Sequence, residues 1–180
     1  MLRRPGGQAA GVPLLRRHVR VHVFAEDALH QAAHLVDRLL ADALGQALQL
    51  EPENLDIWVR KGIVLDMMGR FDEAVRCYEH ALSLKPRDAN AWFNLGITLL
   101  NKSEFEEAVK AFDQALEVDP RNAEAYYNRG VALLGLKKYE KSLMSFNKAV
   151  EIDDTVPEFW HSKGCVHGIL RDFTEAMRDI

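Results

Sequence analysis

The chain is poor in the residues that chemistry needs in clusters. It has two cysteines in 180 residues, Cys77 and Cys165, too few and too far apart for a disulfide framework. A reduced, cytoplasmic setting is therefore the expectation. No apolar run reaches the length of a membrane-spanning helix, and none has the form of a signal peptide. There is no glycine-rich phosphate loop, no histidine–glutamate zinc motif and no nucleophile elbow. Cys165 and His161 lie one helical turn apart with His167 nearby, but they lack an orienting third group. His18 and His22, like His30 and His34, are spaced to share a helix face and lack further ligands. A net charge of −4 leaves no basic footprint for nucleic acid. The expectation is a chain without catalysis, cofactor, metal, nucleic acid or membrane as partner.

What the chain does have is a period. Trp58, Trp92, Tyr126 and Trp160 follow one another at 34 residues, as do Gly62, Gly96, Gly130 and Gly164. Phe71, Phe105, Tyr139 and Phe173 keep the same spacing, as do Ala74, Ala108, Ser142 and Ala176. Tyr78, Phe112 and Phe146 precede Ala81, Ala115 and Ala149, and Pro52, Pro86 and Pro120 close successive units. Many columns at one spacing mean a small unit stacked on copies of itself.

Within a unit, apolar residues recur at helical spacing in two stripes. Trp92, Leu95, Gly96 and Leu99 make the first; Phe105, Ala108, Phe112, Ala115 and Leu116 make the second. Asn101-Lys102-Ser103 reads as the turn between them. Each unit is thus a hairpin of two helices. The prolines end the second helix, and Asn54, Asp88 and Asn122 stand where N-caps belong. A glycine inside a helix costs about 1 kcal/mol relative to alanine. Its repetition implies close approach of the two helices, which the pattern places opposite Ala81, Ala115 and Ala149.

These columns resemble the tetratricopeptide repeat, whose pattern Trp92, Leu95, Gly96, Leu99, Ala108, Phe112, Ala115 and Pro120 follow. The resemblance implies an all-α fold, an α-solenoid coiled as a right-handed superhelix of antiparallel hairpins. Full units cover 55–88, 89–122 and 123–156, and an incomplete one covers 157–180, stopping inside its second helix. Lys61, Arg129 and Lys163 replace the usual leucine, Ser142 an alanine and Asp154 the closing proline.

Residues 1–54 differ in composition: no lysine, no serine, and no acidic residue before Glu26. Residues 1–20, rich in arginine and glycine, read as a disordered arm. Leu40, Leu44, Ala47, Leu48, Leu50 and Pro52 fall in register with later second helices. Residues 21–54 therefore read as a degenerate first repeat, with 21–34 as the partner helix.

In such stacks the first helices line the concave face. Two residues after each marker aromatic stand Arg60, Asn94, Asn128 and Ser162. By resemblance, the asparagines would grip a peptide backbone, since a carboxamide both donates and accepts. Phe93 and Tyr127 are the expected apolar anchors, with Arg60 and Glu124 selecting charge; the Ile63, Ile97, Val131 row is expected to pack between units. One family variant binds chaperone acidic tails through a lysine and an asparagine; Val59 and Ile63, Phe93 and Ile97, and Tyr127 and Val131 hold those places, so such tails are disfavoured. The expected role is a scaffold or adaptor binding a peptide or helical segment of another protein. Two further readings stand beside it: a substrate-recruiting fragment of a larger enzyme, such as a glycosyltransferase, and self-association through Trp160, Ile169 and Phe173 at the end of the stack.

Overall fold

The repeat columns become helices in register. The structure, a computed structural model, describes residues 13–176, with side chains from 32 to 171. Every element among the described residues is helical. In order these are α1 (Pro13–Leu50), α2 (Leu55–Met67), α3 (Phe71–Leu84), α4 (Ala89–Asn101), α5 (Phe105–Val118), α6 (Ala123–Gly135), α7 (Tyr139–Ile152) and α8 (Pro157–Ala176). Helices α2 with α3, α4 with α5, and α6 with α7 are the three hairpins, and each packs on the next. Cα atoms of α2 also approach α4, and those of α4 approach α6. The first helices therefore lie on the inner side of the stack, the second helices on the outer.

The starts and stops follow local chemistry. Asn54, Asp88 and Asn122 each accept a hydrogen bond through the side-chain oxygen, from the backbone N–H of Ile57 (3.3 Å), Ala91 (2.9 Å) and Ala125 (2.8 Å). These bonds satisfy donors that a helix start leaves unpaired. Each hairpin turns on one left-handed residue: Gly69 (φ 72°), Ser103 (φ 62°) and Lys137 (φ 57°). The marker tryptophans tie the first helix to the preceding loop. Their indole N–H groups donate to the carbonyls of Pro52 (2.7 Å), Pro86 (2.8 Å) and Asp154 (2.9 Å).

The buried residues form two clusters along the stack, the smaller made of Ala149, Val150 and Phe159. Leu65, Tyr78, Ala81, Leu95, Leu99, Phe112 and Ala132 belong to the larger. The glycine column does allow close approach, but its partner is the aromatic column. A Cβ on Gly62, Gly96 or Gly130 would lie 2.6 Å, 2.6 Å and 2.7 Å from the rings of Tyr78, Phe112 and Phe146. The expected opposition to alanine is corrected: the bare backbone makes room for a flat ring lying across it. Ser142 earns its place differently from alanine, donating its hydroxyl to the Gly130 carbonyl at 2.7 Å.

Both ends depart from the expected hairpins. In place of a hairpin over 21–54, residues 21–50 are part of one helix, α1. The arm over 1–20 falls partly outside the described residues, but 13–20 belong to the same helix. The turn position of the complete units, Gly69, Ser103 and Lys137, corresponds here to Leu35. A leucine disfavours the left-handed conformation, costing about 1–2 kcal/mol. Between Pro13 and Pro52 no proline interrupts the run, so the helix continues. At the other end α8 passes straight through Arg171, the same position, to Ala176. The second helix expected to begin near Phe173 does not separate from the first.

Candidate functional site

The inner face is built from α2, α4, α6 and α8, each supplying the same register positions. Arg60 on α2 is exposed, and Glu124 is exposed in the first turn of α6. Asn94 and Asn128 occupy equivalent places on α4 and α6 and are half-buried. The Asn94 carboxamide donates one N–H to the Asn90 carbonyl at 2.8 Å, and Asn128 donates one to the Glu124 carbonyl at 2.9 Å. Each carboxamide is thereby oriented by its own helix. One further N–H and the oxygen of each remain for other groups.

The aromatic pair is less free than its spacing suggests. Phe93 is half-buried, with its ring tilted against Phe112 at 6.0 Å between centroids. Tyr127 lies between Phe146 at 5.6 Å and Phe159 at 5.0 Å. Its hydroxyl oxygen accepts from Ser162 Oγ at 3.4 Å, which links α6 to α8. Both rings thus pack within the stack while keeping part of their surface outward. In the neighbouring row, Ile97 packs against the core and Ile63 is exposed. The structure brings Arg60, Phe93, Asn94, Glu124, Tyr127 and Asn128 onto first helices stacked in sequence.

A second feature escaped the repeat columns. An open cavity of about 510 Å³ lies between α1, α2 and α3, bordered by Asp42, Gln46, Gln49, Lys61, Arg70 and Glu73. Arg70 and Glu73 pair at 2.6 Å, and the hydrogen bond from Arg70 holds the Glu73 carboxyl below its ordinary range. Lys61 sits where the family pattern has leucine, which was the one signal of a polar lining here. The Lys61 ammonium also lies 5.8 Å over the Trp58 ring, which stacks on His80 at 4.1 Å.

The cysteines divide. Cys77 is buried, and burial pushes its thiol up. Cys165 is exposed, its Sγ 3.6 Å from His161 Nε2. Among the described residues, no three His, Cys, Asp or Glu side chains stand together as metal ligands. The side chains of His18, His22 and His30 lie outside the described residues. No helix among the described residues is long and apolar enough to cross a membrane.

Stacked hairpins with glycine-on-aromatic packing define a helical-repeat solenoid. Sequence profiles of the tetratricopeptide repeat match residues 53–121 and 94–157, together spanning 53–157. The chain belongs to the tetratricopeptide repeat family. No curated protein matches it in sequence. Among solved structures it is similar to MamA from Desulfovibrio magneticus RS-1, with a TM-score of 0.73 and 22% identity, covering 87% of each chain. It is also similar to the Arabidopsis OM64 TPR domain (TM-score 0.61, 22% identity, 63% of this chain and 94% of that one). A third is the first TPR of Spaghetti (RPAP3), solved bound to the HSP90 peptide SRMEEVD (TM-score 0.64, 20% identity, 65% of this chain and 93% of that one). At these identities the likeness is one of fold.

Proposed function

We propose that the protein is an interaction scaffold that takes an extended segment of another protein along the inner face of its stack. The observation that carries this is the pair Asn94 and Asn128. The two carboxamides share a register on successive first helices, each fixed by one bond to its own backbone. A pre-oriented carboxamide can accept from one peptide N–H and donate to a carbonyl whatever the ligand's side chains are. Fixing it beforehand lowers the entropy lost on binding. Phe93 and Tyr127 add apolar contact through their outward surface. Arg60 and Glu124 bias the charge of the ligand along the face.

The exposed Asp56, Glu124 and Glu158 favour a ligand with basic residues. An acidic peptide like that on the RPAP3 domain finds Val59 and Ile63, not lysine and asparagine, at the clamp positions. Support for the reading comes from the family and from this geometry together.

The test begins with peptides selected on the wild-type chain from a random library. The variant Asn94→Ala, Asn128→Ala is then measured against them by titration calorimetry. Each lost hydrogen bond is worth about 0.5–1.5 kcal/mol, so binding should weaken roughly tenfold or more with helicity unchanged. Equal affinity for the two proteins would remove the asparagines from the mechanism.

A further inference from the structure

Two cations of this chain, Lys61 and Arg129, stand in one register where the repeat pattern has leucine, and only one of them has partners. Arg129 shows what such a residue takes. Its Nε donates to Asp113 Oδ1 on α5 at 2.6 Å, and its Nη1 donates to Ser145 Oγ on α7 at 2.7 Å. The carboxylate comes from the second helix of the preceding unit, and the hydroxyl from the second helix of its own.

Two repeats earlier, the place of Asp113 is held by Gly45 on α1 and that of Ser145 by Cys77 on α3. Glycine brings no acceptor, and a thiol is a weak one. The ammonium of Lys61 nevertheless comes up to the vacant place, since a Cβ added to Gly45 would lie 3.6 Å from Lys61 Nζ. Lys61 is half-buried, and among the described residues no carboxylate forms an ion pair with it. A partly buried charge without a counter-charge is costly to hold.

The missing side chain leaves room. Gly45 and Lys61 border the open cavity of about 510 Å³ between α1, α2 and α3, to which Gln46 and Gln49 bring amide groups. A second cavity, of about 310 Å³, also borders Lys61 and Glu73 and adds Arg76 and Cys77. Asn94 and Asn128 border neither. Glu73 is taken by Arg70 at 2.6 Å, which leaves Lys61 and Arg76 against Asp42. One added anionic group balances these charges.

We propose that this cavity binds a small organic acid, its carboxylate seated on Lys61 in the place that Asp113 takes beside Arg129. The size suits a small molecule. The Gln46 and Gln49 carboxamides, which both donate and accept, suit a polar body on the acid.

The test titrates acetate, lactate, glutamate and benzoate into the full chain at constant ionic strength, with chloride and phosphate as controls. The backbone amides of Gly45 and Lys61 are followed by NMR. At least one acid should shift them saturably. Lys61→Met should weaken that binding about tenfold or more with helicity unchanged. Gly45→Asp supplies the carboxylate from within the chain. It should raise the thermal midpoint above that of Gly45→Asn and abolish binding of the free acid. In a Lys61→Met background the advantage of aspartate over asparagine should vanish. No saturable shift with any of the four acids would overturn the proposal. So would chloride or phosphate binding as tightly, which would mark a general anion site, or equal midpoints for Gly45→Asp and Gly45→Asn.

Discussion

One methyl group separates two glycines that the sequence presents as equals. At Gly96 an added Cβ lies 2.6 Å from Phe112, whose ring is completely buried and hemmed in. Overpacking of this kind costs about 1–3 kcal/mol, offset by up to about 1 kcal/mol of improved helix propensity. Gly96→Ala should therefore lower the urea midpoint, with a net loss of about 1–2 kcal/mol. Gly164→Ala, measured in dilute solution, should be neutral or slightly stabilising, because nothing lies within 4 Å of its Cβ. A neutral Gly96→Ala would mean that the ring has room to retreat. The column itself was legible in the sequence, but its partner was not. Alanine and the aromatic recur at the same period, and spacing alone cannot say which one crosses the glycine. The asparagines show the same limit. Their position was readable, but the bond that each carboxamide makes to its own helix needs coordinates.

At the scale of a helix, Asp88 links the end of α3 to the start of α4. It is 8% exposed, caps Ala91 and pairs with Lys85 at 2.8 Å. Burial alone would push its carboxyl up. The hydrogen bonds from Lys85 and from the Ala91 N–H, with the Lys85 charge, outweigh burial and hold it below its ordinary value of 3.8. The folded carboxylate thus binds its proton less tightly than the unfolded one. Its contribution is full above pH 3.8 and is lost as pH falls through the lower folded value. Asp88→Ala should cost about 1 kcal/mol near neutral pH. The gap between wild-type and variant thermal midpoints should narrow below pH 3.8; a gap independent of pH would put the effect in packing. The caps Asn54, Asp88 and Asn122 and the turn at Asn101–Ser103 were readable from residue type, whereas Arg70, Glu104 and Lys138 start α3, α5 and α7 with no side-chain cap to signal them. At both ends the repeat spacing continues over Leu35 and Arg171, but neither residue takes the left-handed turn conformation, so α1 and α8 run on as single helices.

Across the whole molecule, stability should be graded, because each unit leans only on its neighbours. Helices α4 and α5 have packed hairpins on both sides, whereas α1 touches only α2, and α8 only α7, among the helix pairs in substantial contact. In such an array the opening free energy is highest in the middle and falls towards the ends. Amide exchange on the dilute chain should be slowest in α4, α5 and α6, and fastest in α1 ahead of Asp37 and in α8 beyond Leu170. Uniform protection would mean that the stack opens only as a whole. A selected peptide would slow exchange in α4 and α6, where Asn94 and Asn128 lie. Slowing in α8 as well would show that the inner face and α8 are coupled through the stack, with the Tyr127–Phe159 contact as the bridge from α6 to α8.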